Sequence, residues 1–243
     1  MPQSTMRLVD LAAVVLEFSS TVAEIGARNI ARLGRQVSCS KGCGACCRQV
    51  TPLAPPEAFM IAEWVESLAA KPRTRLQNRF AEATKQLESS GLLPELARLQ
   101  KASSLSEETM RDISQEYFKQ QIPCPFLANE SCSIYAMRPS RCREYLVTSS
   151  PIHCQNPYEQ QVERLPISIR LSEALARLWA EATQTPLQLI PLSLALEWSS
   201  QNIHNRTIGA DARQMLQGLL FHIAQIAVDY ERQAQDKEKL IIE

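Results

Sequence analysis

The sequence is poor in glycine and aromatic residues and has no excess of either charge. Of its 243 residues only 7 are glycine and 6% are aromatic. So few glycines leave few of the tight turns that a sheet-rich fold requires, and helices are the expected elements. The 26 basic residues balance 26 acidic ones, which argues against a nucleic-acid-binding protein. We therefore predict a mainly α fold, a compact helical domain with long N- and C-terminal helices.

Long hydrophobic runs are also lacking. The apolar stretch from Leu8 to Phe18 is interrupted by Asp10 and Glu17 and is shorter than the ~20 residues that span a bilayer. We expect no membrane span and a cytoplasmic protein. In that reducing compartment, cysteines are better explained as metal ligands than as disulfides.

Known catalytic motifs are missing as well. The chain has no Gly-x-Ser-x-Gly, no phosphate-binding loop, no Gly-x-Gly-x-x-Gly and no His-Glu-x-x-His. Catalysis by protein side chains therefore has little support, and the sequence leaves open whether the protein is an enzyme.

Apolar residues spaced by three and four predict the helices. The two terminal helices have two possible arrangements: both pack on one core within a monomer, or they form a dimer seam. A short strand over 165–171 is a weaker expectation. The predicted helices cover residues 6–34, 55–68, 72–100 with a break near Ser89, 106–120, 172–184, 187–202 and 210–237.

We expect residues 1–243 to form a single domain. Its metal-binding core would span 36–155, with a helical insert at about 70–120. Residues 1–35 and 160–243 would be helical extensions that pack on the core. An unknown protein partner is conceivable.

All eight cysteines lie in two windows of the chain. The first group is closely spaced and the second is spread over 31 residues, a concentration that predicts two loops converging on metal. Gly42 and Gly44 would give the first loop the backbone freedom for a tight wrap. Pro123 and Pro125 stiffen the chain around Cys124. The candidate ligands are Cys39, Cys43, Cys46, Cys47, Cys124, Cys132, Cys142 and Cys154.

The division of these cysteines between sites is open at this stage. Three thiols of the first loop with Cys124 would make one four-thiolate site, and the others would be further ligands. Adjacent Cys46 and Cys47 should diverge. Nearby cations would offset the negative charge of a thiolate site; the candidates are Lys41, Arg48, Arg138, Arg141 and Arg143.

The ordered motifs resemble a known family. They are the first cysteine loop with Arg48, Pro56-Glu57-Ala58, Cys124-Pro-Phe-Leu, Cys132-Ser-Ile-Tyr, Arg138-Pro139 and Cys142-Arg143. Over about residues 36–155 they resemble the YkgJ-type cysteine-cluster family, known for a CxxCxxCC zinc- or iron-chelating domain that is also described as iron-sulfur-cluster containing. The resemblance implies metal-binding roles for seven of the cysteines, and Cys154 is a less regular extension.

Three functions fit this sequence. The first is a metal-binding protein that holds an iron-sulfur cluster, most simply 4Fe-4S, with a redox or cluster-related role, because a close cysteine triplet with a distant Cys-Pro is typical of ferredoxin-like loops. The second is a structural zinc protein that acts as an interaction module, since soft thiolates bind both metals. The third is a cluster-dependent modifying enzyme similar to flagellin lysine methylases, which carry a similar cysteine cluster.

Overall fold

The computed structural model describes residues 5–99, 107–167 and 169–242, and it confirms the mainly α fold. Helix accounts for 62% of the residues. Within the described ranges the α-helices are α1 Leu8–Arg32, α2 Pro55–Ser67, α3 Ala70–Ser89, α4 Leu93–Leu99, α5 Glu107–Lys119, α6 Ser140–Glu144, α7 Leu171–Thr183, α8 Ala195–Gln201 and α9 Ala212–Ile242.

The described strands form three short antiparallel pairs, each two or three residues long. β1 pairs with β6, β2 with β5 and β3 with β4. The first pair joins the segments that lead into α1 and α9, and the other two flank the cysteines. Their bounds are β1 Thr5–Arg7, β2 Pro52–Leu53, β3 Leu127–Ala128, β4 Ser131–Cys132, β5 Ile190–Pro191 and β6 Gly209–Asp211.

One hydrophobic core receives both terminal helices. α1 packs on α2, α6 and α7, while α9 packs on α7. At the centre of this core, the Phe59 ring lies 5.6 Å from Trp179 and 5.0 Å from Trp198, measured between ring centroids. The apolar stripe of α1 is interrupted: Phe18 and Ile25 are exposed, whereas the start of the helix and Ile30 in its last turn are buried. Dimer formation through these helices stays a prediction.

The helical insert has a small core of its own. Buried side chains from the end of α3, from α4 and from α5 form a second cluster, whose members include Leu87, Leu96 and Tyr117. Leu194 and Val50 pack against it from outside the insert. The insert is therefore attached to the rest of the fold through apolar contacts near the first cysteine loop.

Two local predictions are wrong. The expected helix at 187–202 is replaced by strand β5, a 3-10 turn at Leu192–Leu194 and the shorter α8. Pro191 explains this, because proline inside a helix lacks the backbone donor and clashes with the preceding turn. The expected strand at 165–171 is not formed by the residues described there; the isolated bridge in this region joins Val147 to Arg164.

None of the described helices is both long and apolar enough to cross a membrane.

Candidate metal centre

The first cysteine loop, defined here as residues 38–48, is built from consecutive tight turns. The Cys43 amide donates to the Ser40 carbonyl at 3.2 Å, and the Cys47 amide donates to the Gly44 carbonyl at 2.9 Å. Gly42 has a φ of +98°, which side-chain-bearing residues rarely adopt. These local turns bring four thiols within nine residues of chain, with the backbone freedom that the sequence predicted for Gly42.

Gly44 is required for a different reason, a close approach to the β3–β4 hairpin. A Cβ on residue 44 would lie 2.4 Å from the Glu130 carbonyl oxygen and 2.7 Å from a Leu127 methyl carbon. Asn129 and Glu130 both have positive φ, 50° and 53°, the pattern of a two-residue type I′ hairpin turn. Arg48 binds the Glu130 carboxylate with two hydrogen bonds of 2.8 and 3.0 Å. The loop and the hairpin therefore pack as one unit.

The second cysteine segment, residues 124–154, meets the first loop directly. The Cys124 amide donates to the Cys47 carbonyl at 2.7 Å. Phe126 is 1% exposed and makes edge-on contacts with Phe80 and Trp64. This buried ring fixes the Cys-Pro-Phe turn against α2 and α3, so the position of the Cys124 thiol depends on tertiary packing.

Buried carboxylates hold Cys142 in place. Glu57 is fully buried; its Oε1 accepts hydrogen bonds from the amide and the hydroxyl of Ser140, both at 2.8 Å, and its Oε2 accepts from the Ala54 amide at 3.0 Å. One carboxylate thus caps the N-termini of α2 and α6, where negative charge is favourable. At the other end of α6, Glu144 accepts from the Leu171 amide at 2.9 Å and so caps α7.

The same two carboxyls are costly to ionise. Burial raises the pKa of Glu57, although the hydrogen bonds from Ser140 and Ala54 act in the opposite direction. Burial also raises the pKa of Glu144. The Arg141 guanidinium, 3.9 Å from the Glu144 carboxylate, acts in the opposite direction. Both groups follow the rule that low-dielectric surroundings disfavour the charged form.

The thiols converge on Cys46. Cys124, Cys132 and Cys142 lie within electrostatic range of it and of one another. Cys39, Cys43 and Cys154 form a second group that also reaches Cys46. The Cys47 side chain contributes to the raised pKa of Cys46, and the expected divergence of these two neighbours stays a prediction.

Several of the thiols have raised pKa values. The Cys47 side chain and burial together raise the pKa of Cys46 far above its usual value. Burial is the main cause for the other shifted thiols, and it raises the pKa of Cys142 to about 12 and that of Cys154 to about 11. The pKa of Cys39, Cys124 and Cys132 is raised for the same reason. Metal binding would displace these protons, since thiolates are the ligands.

Backbone amides face several of the sulfurs. The Val147 amide donates to Cys39 Sγ at 3.4 Å, and the amides of Phe126 and Ile134 donate to Cys124 and Cys132. Such N–H···S contacts favour the thiolate over the thiol and help to set the reduction potential of a thiolate-bound centre.

Among the five cations expected near the cysteines, Arg138 acts on four of the thiols. Its positive charge favours the thiolate forms of Cys39, Cys46, Cys132 and Cys142. The guanidinium lies 3.8 Å from the centroid of the Tyr135 ring, and its Nε is buried without a hydrogen-bond partner in the described part of the chain.

The other arginines of the five have structural partners. Arg48 pairs with Glu130, and Arg141 lies near Glu144. Arg143 donates to the Arg138 carbonyl at 2.8 Å and also to the Ala136 carbonyl and the Ser20 hydroxyl. These three arginines mainly hold the segments around the cysteines in place, and they contribute less than Arg138 to offsetting the negative charge of thiolates.

The thiols are near one another without forming a finished metal site. Across residues 5–99, 107–167 and 169–242, no three Cys, His, Asp or Glu side chains are already arranged to hold a metal ion. No cysteine is disulfide-bonded. The eight ligand assignments made from the sequence therefore stay predictions.

Family comparison agrees with this concentration of thiols. Residues 38–164, just over half of the chain, match the family model described as "CxxCxxCC: Putative zinc- or iron-chelating domain". The chain belongs to this family. No curated protein and no solved structure matches it. Membership in the CxxCxxCC family supports metal binding by the cysteine cluster, with zinc and iron both within its description.

Sequence reasoning missed the buried acids. The sequence analysis names Glu57 only as part of the Pro56-Glu57-Ala58 motif, and it does not single out Glu144. A possible signal for Glu57 is its position three residues after the N-cap of α2, directly behind two prolines. Nothing local distinguishes Glu144, because its partners begin 27 residues later in the chain.

Proposed function

We propose that this CxxCxxCC protein binds an iron-sulfur cluster, most simply 4Fe-4S, through the thiols gathered around Cys46, and that it acts in electron transfer or another cluster-related role. The observation that carries the proposal is the convergence of both cysteine groups on one residue. Four thiolates are the usual ligand set of such a cluster.

The grouping of the thiols favours one set of four. Cys46, Cys124, Cys132 and Cys142 are mutual neighbours, and three of them come from the second segment, which differs from the division that spacing suggested. Cys39, Cys43 and Cys154, which also lie within electrostatic range of Cys46, would complete or extend the site. Binding would draw these side chains together, because metal capture and loop ordering are coupled.

Two features favour iron over zinc. Cys124 is followed by proline, as in ferredoxin-type loops. Backbone amides donate to the sulfurs of Cys39, Cys124 and Cys132, an arrangement through which proteins tune cluster potentials. Arg138 would offset the net negative charge of a four-thiolate cluster.

The test is anaerobic purification of the full chain, followed by an absorption spectrum and by iron, zinc and acid-labile sulfide analysis of one sample. We expect a broad band near roughly 400 nm and about four irons with matching sulfide for one four-iron cluster. A colourless protein with stoichiometric zinc and no sulfide would refute the cluster and identify the cysteines as a structural zinc site.

A further inference from the structure

A cleft opens beside the cysteines and reaches two of the thiols. It has a volume of about 680 Å³ and lies between the exit of the first cysteine loop, α5, α6 and the segment that precedes α7. Cys46 and Cys142 form part of its wall. This volume falls within the range of about 300–1,000 Å³ that is usual for small-molecule sites.

Four arginines from separate parts of the chain line this cleft. They are Arg111 on α5, Arg141 on α6, and Arg164 and Arg170 in the segment before α7. No acidic side chain lines the cleft within the described residues. Because the chain as a whole has a formal net charge of zero, this local concentration of one sign is a property of the cleft.

The nearby acids neutralise these arginines incompletely. Glu144 lies 3.9 Å from Arg141 and Glu173 lies 3.9 Å from Arg170, both at the limit of an ion pair. Glu173 is closer to Arg177, at 2.7 Å. Neither Arg111 nor Arg164 makes an ion pair with any carboxylate that the structure describes. At least two positive charges of the cleft are thus available to a ligand.

The remaining wall of the cleft is aromatic and apolar. Arg164 lies over the Tyr145 ring, 4.9 Å from its centroid, and Tyr158 stacks at a tilt against Phe118 with centroids 5.6 Å apart. The Tyr145 hydroxyl is buried; the Cys154 and Gln49 side chains lie near it but outside hydrogen-bond geometry. An organic body could therefore pack on rings while its charged end meets guanidinium groups.

We propose that this cleft binds a small organic anion through a carboxylate or phosphate group held by Arg111, Arg141, Arg164 and Arg170. Guanidinium groups bind both kinds of oxyanion with paired, charge-assisted hydrogen bonds. The concave shape and limited volume fit a small molecule better than a polymer. In the terms of the proposed function, the ligand would then lie beside the metal, so that the cleft is where a substrate or effector meets the cluster.

The test uses inorganic phosphate and citrate as probes on the full chain as purified. Binding is measured by isothermal titration at constant ionic strength, with chloride replaced by the probe. We expect one saturable site for at least one probe. The double variant Arg111→Gln with Arg164→Gln should weaken that binding by at least about tenfold, because it removes two charge-assisted contacts.

The matched control is Arg213→Gln, an exposed arginine in the first turn of α9 that does not line the cleft. It should bind the probes like the wild type. The proposal fails if neither probe saturates a site, or if the double variant binds as tightly as the control. Iron and sulfide analysis of anaerobically purified samples separates the two proposals: saturable binding by a chain without iron or sulfide supports the cleft, and the missing iron and sulfide refute the cluster.

Discussion

The first cysteine loop and the second cysteine segment place their thiols in different ways. In the first loop, four cysteines within nine residues are positioned by turns and by two glycines. In the second segment, four cysteines over 31 residues are positioned by a hairpin, the buried Phe126 ring and buried carboxylates at both ends of α6. The first loop should therefore depend on its own turns and on a close fit against the β3–β4 hairpin, and the second on buried residues that show no link to metal in the sequence.

The largest expected effect is at Cys46, where the two regions meet. Replacing Cys46 by Ser removes the thiol that neighbours both groups. We expect more than about half of the bound metal to be lost, together with about 4 kcal/mol or more of unfolding free energy, the range in which loss of a metal site falls. Elemental analysis and urea unfolding measure the two quantities.

Cys43→Ser is the matched comparison for Cys46→Ser. Cys43 lies in the same loop and interacts electrostatically with Cys39 and Cys154. We expect it to retain more metal than the Cys46 variant. Equal losses in the two variants would contradict the central position of Cys46.

The next largest effect tests the carboxylate that anchors the second segment. Glu57→Leu leaves the Ala54 amide and both Ser140 donors buried without an acceptor. Unfolding in urea should reveal a loss of about 3 kcal/mol or more. Metal content should fall as well, because α6 carries Cys142.

Glu130→Leu is the control, a surface position in the β3–β4 hairpin whose partner, Arg48, belongs to the first loop. The Glu130 carboxylate pairs with Arg48 at the surface, where salt bridges contribute little. We expect a much smaller loss of stability than for Glu57→Leu. A comparable loss would mean that the surface pair, and not the buried cap, holds the loops together.

A smaller effect distinguishes the two glycines of the first loop. Gly44→Ala forces a Cβ against the Glu130 carbonyl and the Leu127 side chain, and such overpacking costs about 2–3 kcal/mol. Gly42→Ala meets no atom within 4 Å, and only its left-handed φ is penalised, by about 1 kcal/mol. Thermal or urea unfolding of both variants should give this order. The reverse order would show that the loop and the hairpin can separate freely.

Sequence patterns predicted the helices and the concentration of thiols but not the way in which the second segment is held. The spacing of apolar residues located α1, α2 and α7 because an amphipathic helix repeats its buried face locally. The helix-breaking effect of Pro191 was overlooked. Strand β5, which pairs with β2 just after the first loop, was therefore missed. The link from Glu57 to Ser140 and the link from Glu144 to Leu171 could not be found in this way, because these donors lie 83 and 27 residues away in the chain.

The last and smallest effect is the pH dependence that Glu57 adds to stability. Burial raises the pKa of Glu57 in the folded chain above its usual 4.5, so the folded state holds this proton more tightly than the unfolded state. Its contribution is then complete below the unfolded pKa and is lost as pH rises through the folded pKa. Glu57→Gln, which cannot ionise, should remove this loss from the pH profile of unfolding free energy.

Glu63 supplies a contrast of opposite sign. Partial burial raises its pKa, but hydrogen bonds from Arg7 and Arg206 outweigh this effect and lower it below 4.5. Stability from Glu63 is therefore present above the unfolded pKa and is lost as pH falls through the folded pKa. The difference between wild type and Glu63→Gln should grow with rising pH, whereas the difference for Glu57→Gln should shrink. If both differences changed with pH in the same direction, the helix-capping contacts would stabilise the Glu57 carboxylate more than burial disfavours it.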